Sequence, residues 1–217
     1  MGFIIKDGFF IIKVFLIAAA SSYVIGRYFS LQFLVLAAGI SLILALYSCY
    51  FFRNPKRVIS VSENEICSPA DGSVIDVTVE YNKYLGQETK VIRIFLSILD
   101  VHLQRAPIKG TIENMIYTEG KFLPAMGKDA HNENERNTIV ITGEGSKKVA
   151  CTQIAGFIAR RIVMWKQIGD NVNTGDLYGM IKFGSQVNIH MPENVEVLVK
   201  TKDKVKAGET IIARWIQ

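Results

Sequence analysis

Gly72-Ser-Val-Ile-Asp-Val-Thr-Val79 and Val91-Ile-Arg-Ile-Phe-Leu96 are short runs rich in β-branched residues and punctuated by glycine. Side chains branched at Cβ lose freedom in a helix and pack well on a pleated surface, so the runs predict strands joined by turns. From Arg53 onward no long stretch repeats its apolar residues every 3.6 positions. The expected fold is mainly β, with at most short helices, one of them around Leu123 to Ala130.

Two internal echoes extend this reading. Pro69-Ala-Asp-Gly72-Ser-Val74 returns as Pro107-Ile-Lys-Gly110-Thr-Ile112, and Asp170-Asn-Val172-Asn-Thr-Gly175-Asp176 returns as Asp203-Lys-Val205-Lys-Ala-Gly208-Glu209. Each places a turn glycine at the same offset. The second pattern resembles the strands of lipoyl and biotinyl domains, which implies a barrel-sandwich-hybrid-like, β-rich α+β arrangement and carries no chemistry by itself.

The apolar excess, 49% of 217 residues, sits at the front. Phe29 to Phe52 contains no Asp, Glu, Lys, Arg or His and is long enough to cross a bilayer core of roughly 30 Å. An earlier stretch, Gly8 to Ile25, carries Lys13 and either spans or lies in the interface. If both span, Gly26-Arg27-Tyr28 is the turn of a transmembrane helical hairpin. Lys6, Lys13, Arg53, Lys56 and Arg57 then share one face against Arg27 at the tip, which puts the larger domain on the cytoplasmic side of the cell membrane. The expected division is a membrane region over 1–52 and a β-rich catalytic domain over 53–217. Two successive apolar stretches argue against a cleaved secretory signal.

Cys49, Cys67 and Cys151 are widely spaced and form no CxxC pair, so neither a disulfide framework nor a metal site is expected. The net charge of +5 is not arranged as a basic stripe with interleaved aromatics; the juxtamembrane cluster suits anionic lipid rather than nucleic acid.

Three segments carry the chemistry: Ser68-Pro-Ala-Asp71-Gly72, Phe95-Leu-Ser-Ile-Leu-Asp100-Val-His102-Leu-Gln-Arg105-Ala-Pro107, and Phe183-Gly184-Ser185 near the C-terminus. In this order, after a membrane region ending Phe51-Phe-Arg53-Asn-Pro55, they resemble the phosphatidylserine decarboxylase family in its short, archaeal-type branch. Asn134-Glu-Arg-Asn137, after Gly120, looks like a further family feature. The resemblance implies a proenzyme that cleaves itself between Gly184 and Ser185. The products are a large chain, 1–184, and a small chain, 185–217, which remain together as a heterodimer. It also implies a pyruvoyl cofactor made from Ser185, acting on phosphatidylserine or the archaeal ether lipid archaetidylserine and releasing the corresponding ethanolamine lipid.

The bond chosen is chemically reasonable. Ser185 Oγ can close a five-membered ring on the Gly184 carbonyl, which no side chain shields. Proton transfers in maturation and turnover call for a group titrating near neutrality. Of three histidines, His102 has the family-like Asp-Val-His setting, whereas His131 lies in a polar loop and His190 matches no family histidine. Asp71 is expected to orient the base by accepting its ring N–H. The longer family pattern has a second histidine three positions after the first, where this chain has Arg105. Either His102 serves both steps, or Arg105 holds a carboxylate or an oxyanion. Lys121, Lys128 and Arg136 are near in sequence as phosphate-binding candidates.

Two other readings are open at this level. One is a membrane-anchored carrier or adaptor modified at Lys204; the other is a serine hydrolase using Asp71, His102 and Ser185, for which no Gly-x-Ser-x-Gly elbow exists.

Overall fold

A computed structural model describes residues 3–124, 130–156, 162–182 and 185–216. The chain divides into two compact units, Met1–Lys56 and Arg57–Gln217.

The first unit is a pair of antiparallel helices, α1 (Lys6–Tyr28) and α2 (Gln32–Phe51). Both are long and apolar enough to cross a membrane, with mean hydropathy 2.0 and 2.1. Their outward residues, among them Phe10, Ile17, Leu36 and Ile43, are exposed. The turn falls at Phe29-Ser30-Leu31, with Ser30 at φ 57, rather than at the expected Gly26-Arg27-Tyr28. Gly26 stays helical because its bare Cα lets α2 approach: a Cβ there would lie 3.0 Å from Leu34 and Val35. Main-chain bonds from Ile5 N–H to the Phe52 carbonyl and from Asn54 N–H to the Phe3 carbonyl close the open end.

The second unit is strand-rich. Its elements are β1 (Glu65–Cys67), β2 (Gly72–Asn82), β3 (Gln87–Leu96), β4 (Leu103–Arg105), β5 (Gly110–Thr118), the short helix α3 (Ala130–Glu133), β6 (Arg136–Thr142), β7 (Lys148–Ile154), β8 (Ile162–Met164), β9 (Asn171–Val172), β10 (Leu177–Ile181), β11 (Ser185–Pro192), β12 (Val195–Val197), β13 (Lys204–Val205) and β14 (Ile211–Trp215). The helix expected around Leu123 to Ala130 lies largely outside the described residues; α3 starts where it was to end.

The sheets reveal a duplication. The large sheet runs β13-β2-β3-β11-β7-β6-β5-β9, and the two small sheets run β1-β14-β12 and β4-β10-β8. Exchanging β1, β2, β3, β11, β12, β13 and β14 for β4, β5, β6, β7, β8, β9 and β10 maps this arrangement onto itself. The registers agree. Ser73↔Phe95, Val74↔Ile94 and Asp76↔Arg93, with a bulge after Val74, recur as Thr111↔Thr142, Ile112↔Ile141 and Asn114↔Val140, with a bulge after Ile112. Val205↔Gly72 recurs as Gly110↔Val172. The second half is inserted between the third and fourth strands of the first, and the halves meet where β11 pairs with β7. Ile189 and Cys151, which are counterparts, face each other there, so the pseudo-two-fold axis passes through that pair.

Both echoes in the sequence are thus equivalent positions in the fold. Cys67 N–H donates to the Pro107 carbonyl, and Arg105 N–H donates to the Pro69 carbonyl, so the two proline motifs brace each other across the axis. Gly175 and Gly208 both have positive φ, 84° and 77°.

The core is built from residues of both halves, including Ile92, Ile94, Ile139, Ile141, Val187 and Ile189. Every residue of β11 is buried, Gln186, Asn188 and His190 included, so this strand is covered on both faces. Gly110 sits where backbone meets backbone: a Cβ would lie 2.3 Å from the Thr142 carbonyl oxygen, as one on its counterpart Gly72 would lie 2.2 Å from that of Phe95. Gly110→Ala is therefore expected to destabilise the β unit by about 2 kcal/mol or more, in the range of backbone and overpacking effects. The check is a fall of several degrees in the thermal unfolding midpoint.

Candidate active site

Ser185 is the first residue of β11 and pairs with Leu96, the last residue of β3. It is fully buried, and its Oγ has no hydrogen-bond partner among the described residues. The preceding Gly184 and Phe183 lie outside the described residues, so the junction is approached from its serine side.

His102 comes to the same region by a short route. From Leu96 the chain makes a turn in which Asp100 N–H donates to the Ser97 carbonyl, and Ser97 N–H and Oγ–H both donate to Asp100 Oδ2, at 2.8 and 2.7 Å. Two residues later His102, fully buried, leads into β4. Its carbonyl accepts from Ile181 N–H at the end of β10 and from Gln104 Nε2. Ile181 is three residues before Gly184. The serine and the histidine are thus held by neighbouring strand ends, on opposite sides of the same chain junction.

The hydrogen bond expected between Asp71 and His102 is replaced by another. His102 Nδ1 lies 2.9 Å from the Asp100 carbonyl oxygen, which can only accept, so Nδ1 carries a proton. Asp71 is occupied elsewhere: Arg57 Nη2 donates to both its oxygens, at 2.9 and 2.7 Å, and Ala207 N–H donates to Oδ1 at 2.8 Å. Arg57 also reaches Glu209 at 3.3 Å, and both side chains of the Arg57–Asp71 pair are largely buried. Asp71 is separated from Ser185 by the width of β3, roughly 10 Å at ordinary strand spacing.

Arg105 belongs to this charged group. Its Nη1 donates to the Gly175 carbonyl at 2.8 Å. Burial lowers its pKa, and Arg57 adds to that effect, whereas Asp71, Asp176 and Glu209 act in the opposite direction. Two guanidinium groups and three carboxylates therefore share one corner. Arg57 was not singled out as a site residue in the sequence; only its contacts with residues 14 and 152 positions away give it a role.

The remaining candidates separate. Lys121 pairs with Glu133, and Arg136 donates to the carbonyls of Asn132 and Asn134. Lys128 and the side chain of His131 lie outside what is described. Lys204 lies in the β13–β2 ladder opposite Ser73, not at a hairpin tip as a carrier lysine would. His190 faces Thr89 and Glu80 at the far end of β11. Asn134 explains its motif: it accepts from Leu123 N–H and donates to the carbonyls of Leu123 and Ala155, each at 2.8 Å, fastening the loop to the end of β7 beside β11. Cys67 is no nucleophile, since burial pushes its thiol up to about 12. Among the described residues no cluster of three His, Cys, Asp or Glu is placed to hold a metal ion.

A cavity of about 650 Å³ lies away from this site, lined by Ser62, Lys109, Thr111, Thr142, Lys147 and others. It marks the equivalent corner of the other half. There the register puts Lys147 where Ser185 stands and Asn64 where His102 stands, and Lys147 Nζ donates to Asn64 Oδ1 at 2.9 Å. Duplication thus produced two such corners, and only one bears the serine and the histidine.

Comparison with known proteins defines the class. The family model for phosphatidylserine decarboxylase matches residues 44–213. A phosphatidylserine decarboxylase proenzyme from Geotalea uraniireducens (strain Rf4) is 42% identical over 175 residues, covering 81% of this chain and 82% of that protein. One from Wolbachia pipientis wMel is 48% identical over 174 residues, covering 77% and 75%. One from Amoebophilus asiaticus (strain 5a2) is 40% identical over 213 residues, 96% and 95%, and so extends through both helices. The molecule is a decarboxylase, a carboxy-lyase. The chain belongs to the phosphatidylserine decarboxylase family.

Breaking the charged corner should be costly. Arg57→Ala leaves the Asp71 carboxylate largely buried without its cation and is expected to cost about 3 kcal/mol, read from denaturant unfolding. Glu209 is held below the usual carboxylate range, first by Val58 N–H and then, against some desolvation, by Arg57. A depressed pKa contributes stability that is complete above the ordinary value near ~4.3 and is lost as pH falls through the folded value. The unfolding midpoint should therefore drop on acidification below about pH 4.5, and less steeply in Glu209→Gln.

Proposed function

We propose that the chain is a proenzyme that cleaves itself between Gly184 and Ser185 and then decarboxylates phosphatidylserine at a membrane surface, with Ser185 converted to a pyruvoyl group. The observation that carries this is the buried Ser185 Oγ, without a hydrogen-bond partner among the described residues, at the head of a strand bonded on both edges. Leaving a hydroxyl unsatisfied in the interior costs about 1–3 kcal/mol, and such a group calls for a function.

Attack of Oγ on the Gly184 carbonyl carbon forms the C–O bond as the C–N bond breaks, giving an ester and a free amine at residue 185. Loss of the Cα proton then expels the Gly184 carboxylate, leaving a dehydroalanine. Water converts its enamine nitrogen to ammonia and leaves the ketone. A pyruvoyl group supplies an electrophilic carbonyl for the substrate amine and an acceptor for the electron pair released with CO₂. His102, with Nδ1–H committed to Asp100, offers Nε2 for the proton transfers. Asp71 and Arg105, bound with Arg57, hold the Ser68–Gly72 and His102–Pro107 segments in place around it. The relatives' names favour phosphatidylserine over archaetidylserine. The helical hairpin embeds in the cell membrane, with its basic ends and the β unit on the cytoplasmic side.

The small chain, 185–217, would contain β11 to β14. With β11 paired to both β3 and β7, the two products would stay associated after the cut.

Denaturing electrophoresis and mass spectrometry test this. The protein is expected as two chains, the smaller beginning with a blocked residue 185, which co-purify without denaturant and release CO₂ from phosphatidylserine. Ser185→Ala should give one 24.3 kDa chain and no CO₂. His102→Ala should slow cleavage at least 100-fold, the lower end of general acid–base contributions. An active sample with an intact 184–185 bond would defeat the proposal.

A further inference from the structure

The turn between Ser185's strand partner and His102 has an unusual tip. Ser97 and Asp100 lock it by three hydrogen bonds, and its two central residues are Ile98 and Leu99, which are 49% and 59% exposed. Such positions ordinarily take Gly, Asn, Asp, Pro or Ser. Two large aliphatic side chains held outward on a fixed turn break that local rule, and such breaks concentrate at functional sites.

The fold does not demand them. At the equivalent end of β6 the chain continues into Glu144-Gly145-Ser146, which is polar. The apolar tip therefore belongs to the corner that carries Ser185 and is missing from its counterpart.

We propose that Ile98 and Leu99 form a fixed apolar wedge that seats in the lipid surface beside the emerging substrate. This rests on the reading of the site given under Proposed function and adds how a lipid reaches it. In an aminophospholipid the amine is separated from the glycerol carbon by six bonds, roughly 7 Å of extended chain. When the amine is at residue 185, the glycerol and the first acyl carbons must therefore emerge beside that residue, within reach of the turn that begins at Leu96. An apolar surface there is buried by the lipid that surrounds the substrate in a bilayer, which holds the site at the surface. A rigid turn adds little ordering cost on contact, since its conformation is already set.

The test uses the full-length protein and the variant Ile98→Ser/Leu99→Ser. Turnover is measured on phosphatidylserine in bilayer vesicles and on dihexanoyl phosphatidylserine below its micelle concentration. The expected result is at least a tenfold rise in apparent KM on vesicles, a change within twofold on the monomeric lipid, and an unchanged two-chain pattern. Equal rates on vesicles would overturn the proposal and leave the wedge to a protein partner. Equal losses on both substrates would also overturn it, since the turn would then serve the fold or the chemistry. If wild type decarboxylates neither lipid, the site reading fails separately. Leu99→Trp then decides: fluorescence quenched by brominated acyl chains, beyond that of wild type with Trp165 and Trp215, supports the wedge, and no added quenching refutes it.

Discussion

The rest of the structure depends on the hydrogen bonding of β11 along both edges, Ser185–Pro192 to Thr89–Leu96 on one side and Gln186–His190 to Ala150–Ile154 on the other. This strand joins the two halves of the large sheet, and its first residue is the motif serine. Because the ladder is made on both sides, the serine cannot withdraw from the interior, and its hydroxyl is kept dry beside the peptide bond that precedes it. A main-chain constraint, rather than a side-chain contact, therefore sets the geometry of this residue.

Duplication explains why the site is a corner rather than a cleft in the centre. Two similar sets of seven strands meet about the Ile189–Cys151 pair, and each half offers a strand end, a turn and a proline motif at equivalent places. At one corner, to which both halves contribute, these carry Ser185, His102 and Asp71; at its counterpart they carry Lys147, Asn64 and Lys109. A repeated scaffold thus carries different residues at its two equivalent corners.

The charged corner around Arg57, Asp71 and Arg105 shows how a buried carboxylate can matter without touching the base. Arg57 satisfies Asp71 with two donors, and Ala207 N–H supplies a third, so the Ser68–Gly72 segment is tied both to the start of the unit and to its last strands. Main-chain bonds from Arg105 N–H to Pro69 and from Cys67 N–H to Pro107 then tie that segment and the residue before it to the stretch that follows His102. The network acts by position, and the histidine takes its tautomer from a carbonyl two residues away.

Much of this was legible in the chain itself. β-branched runs and turn glycines marked the strands, two long apolar stretches marked the helices, and the echoes around Gly72 and Gly110 and around Gly175 and Gly208 marked a repeat, because strand alternation, helix length and positive φ are local properties. Ser185, His102 and Asp71 were singled out instead by the resemblance of their segments to a family. Tertiary structure alone decided that the echoes are halves of one sheet, that Asp71 pairs with Arg57 and not with His102, that the helical turn lies at Ser30, and that the Ser185 hydroxyl has no partner among the described residues. Those outcomes depend on which distant strands lie side by side and on which donors reach a buried acceptor first, and neither is encoded within any single window of sequence.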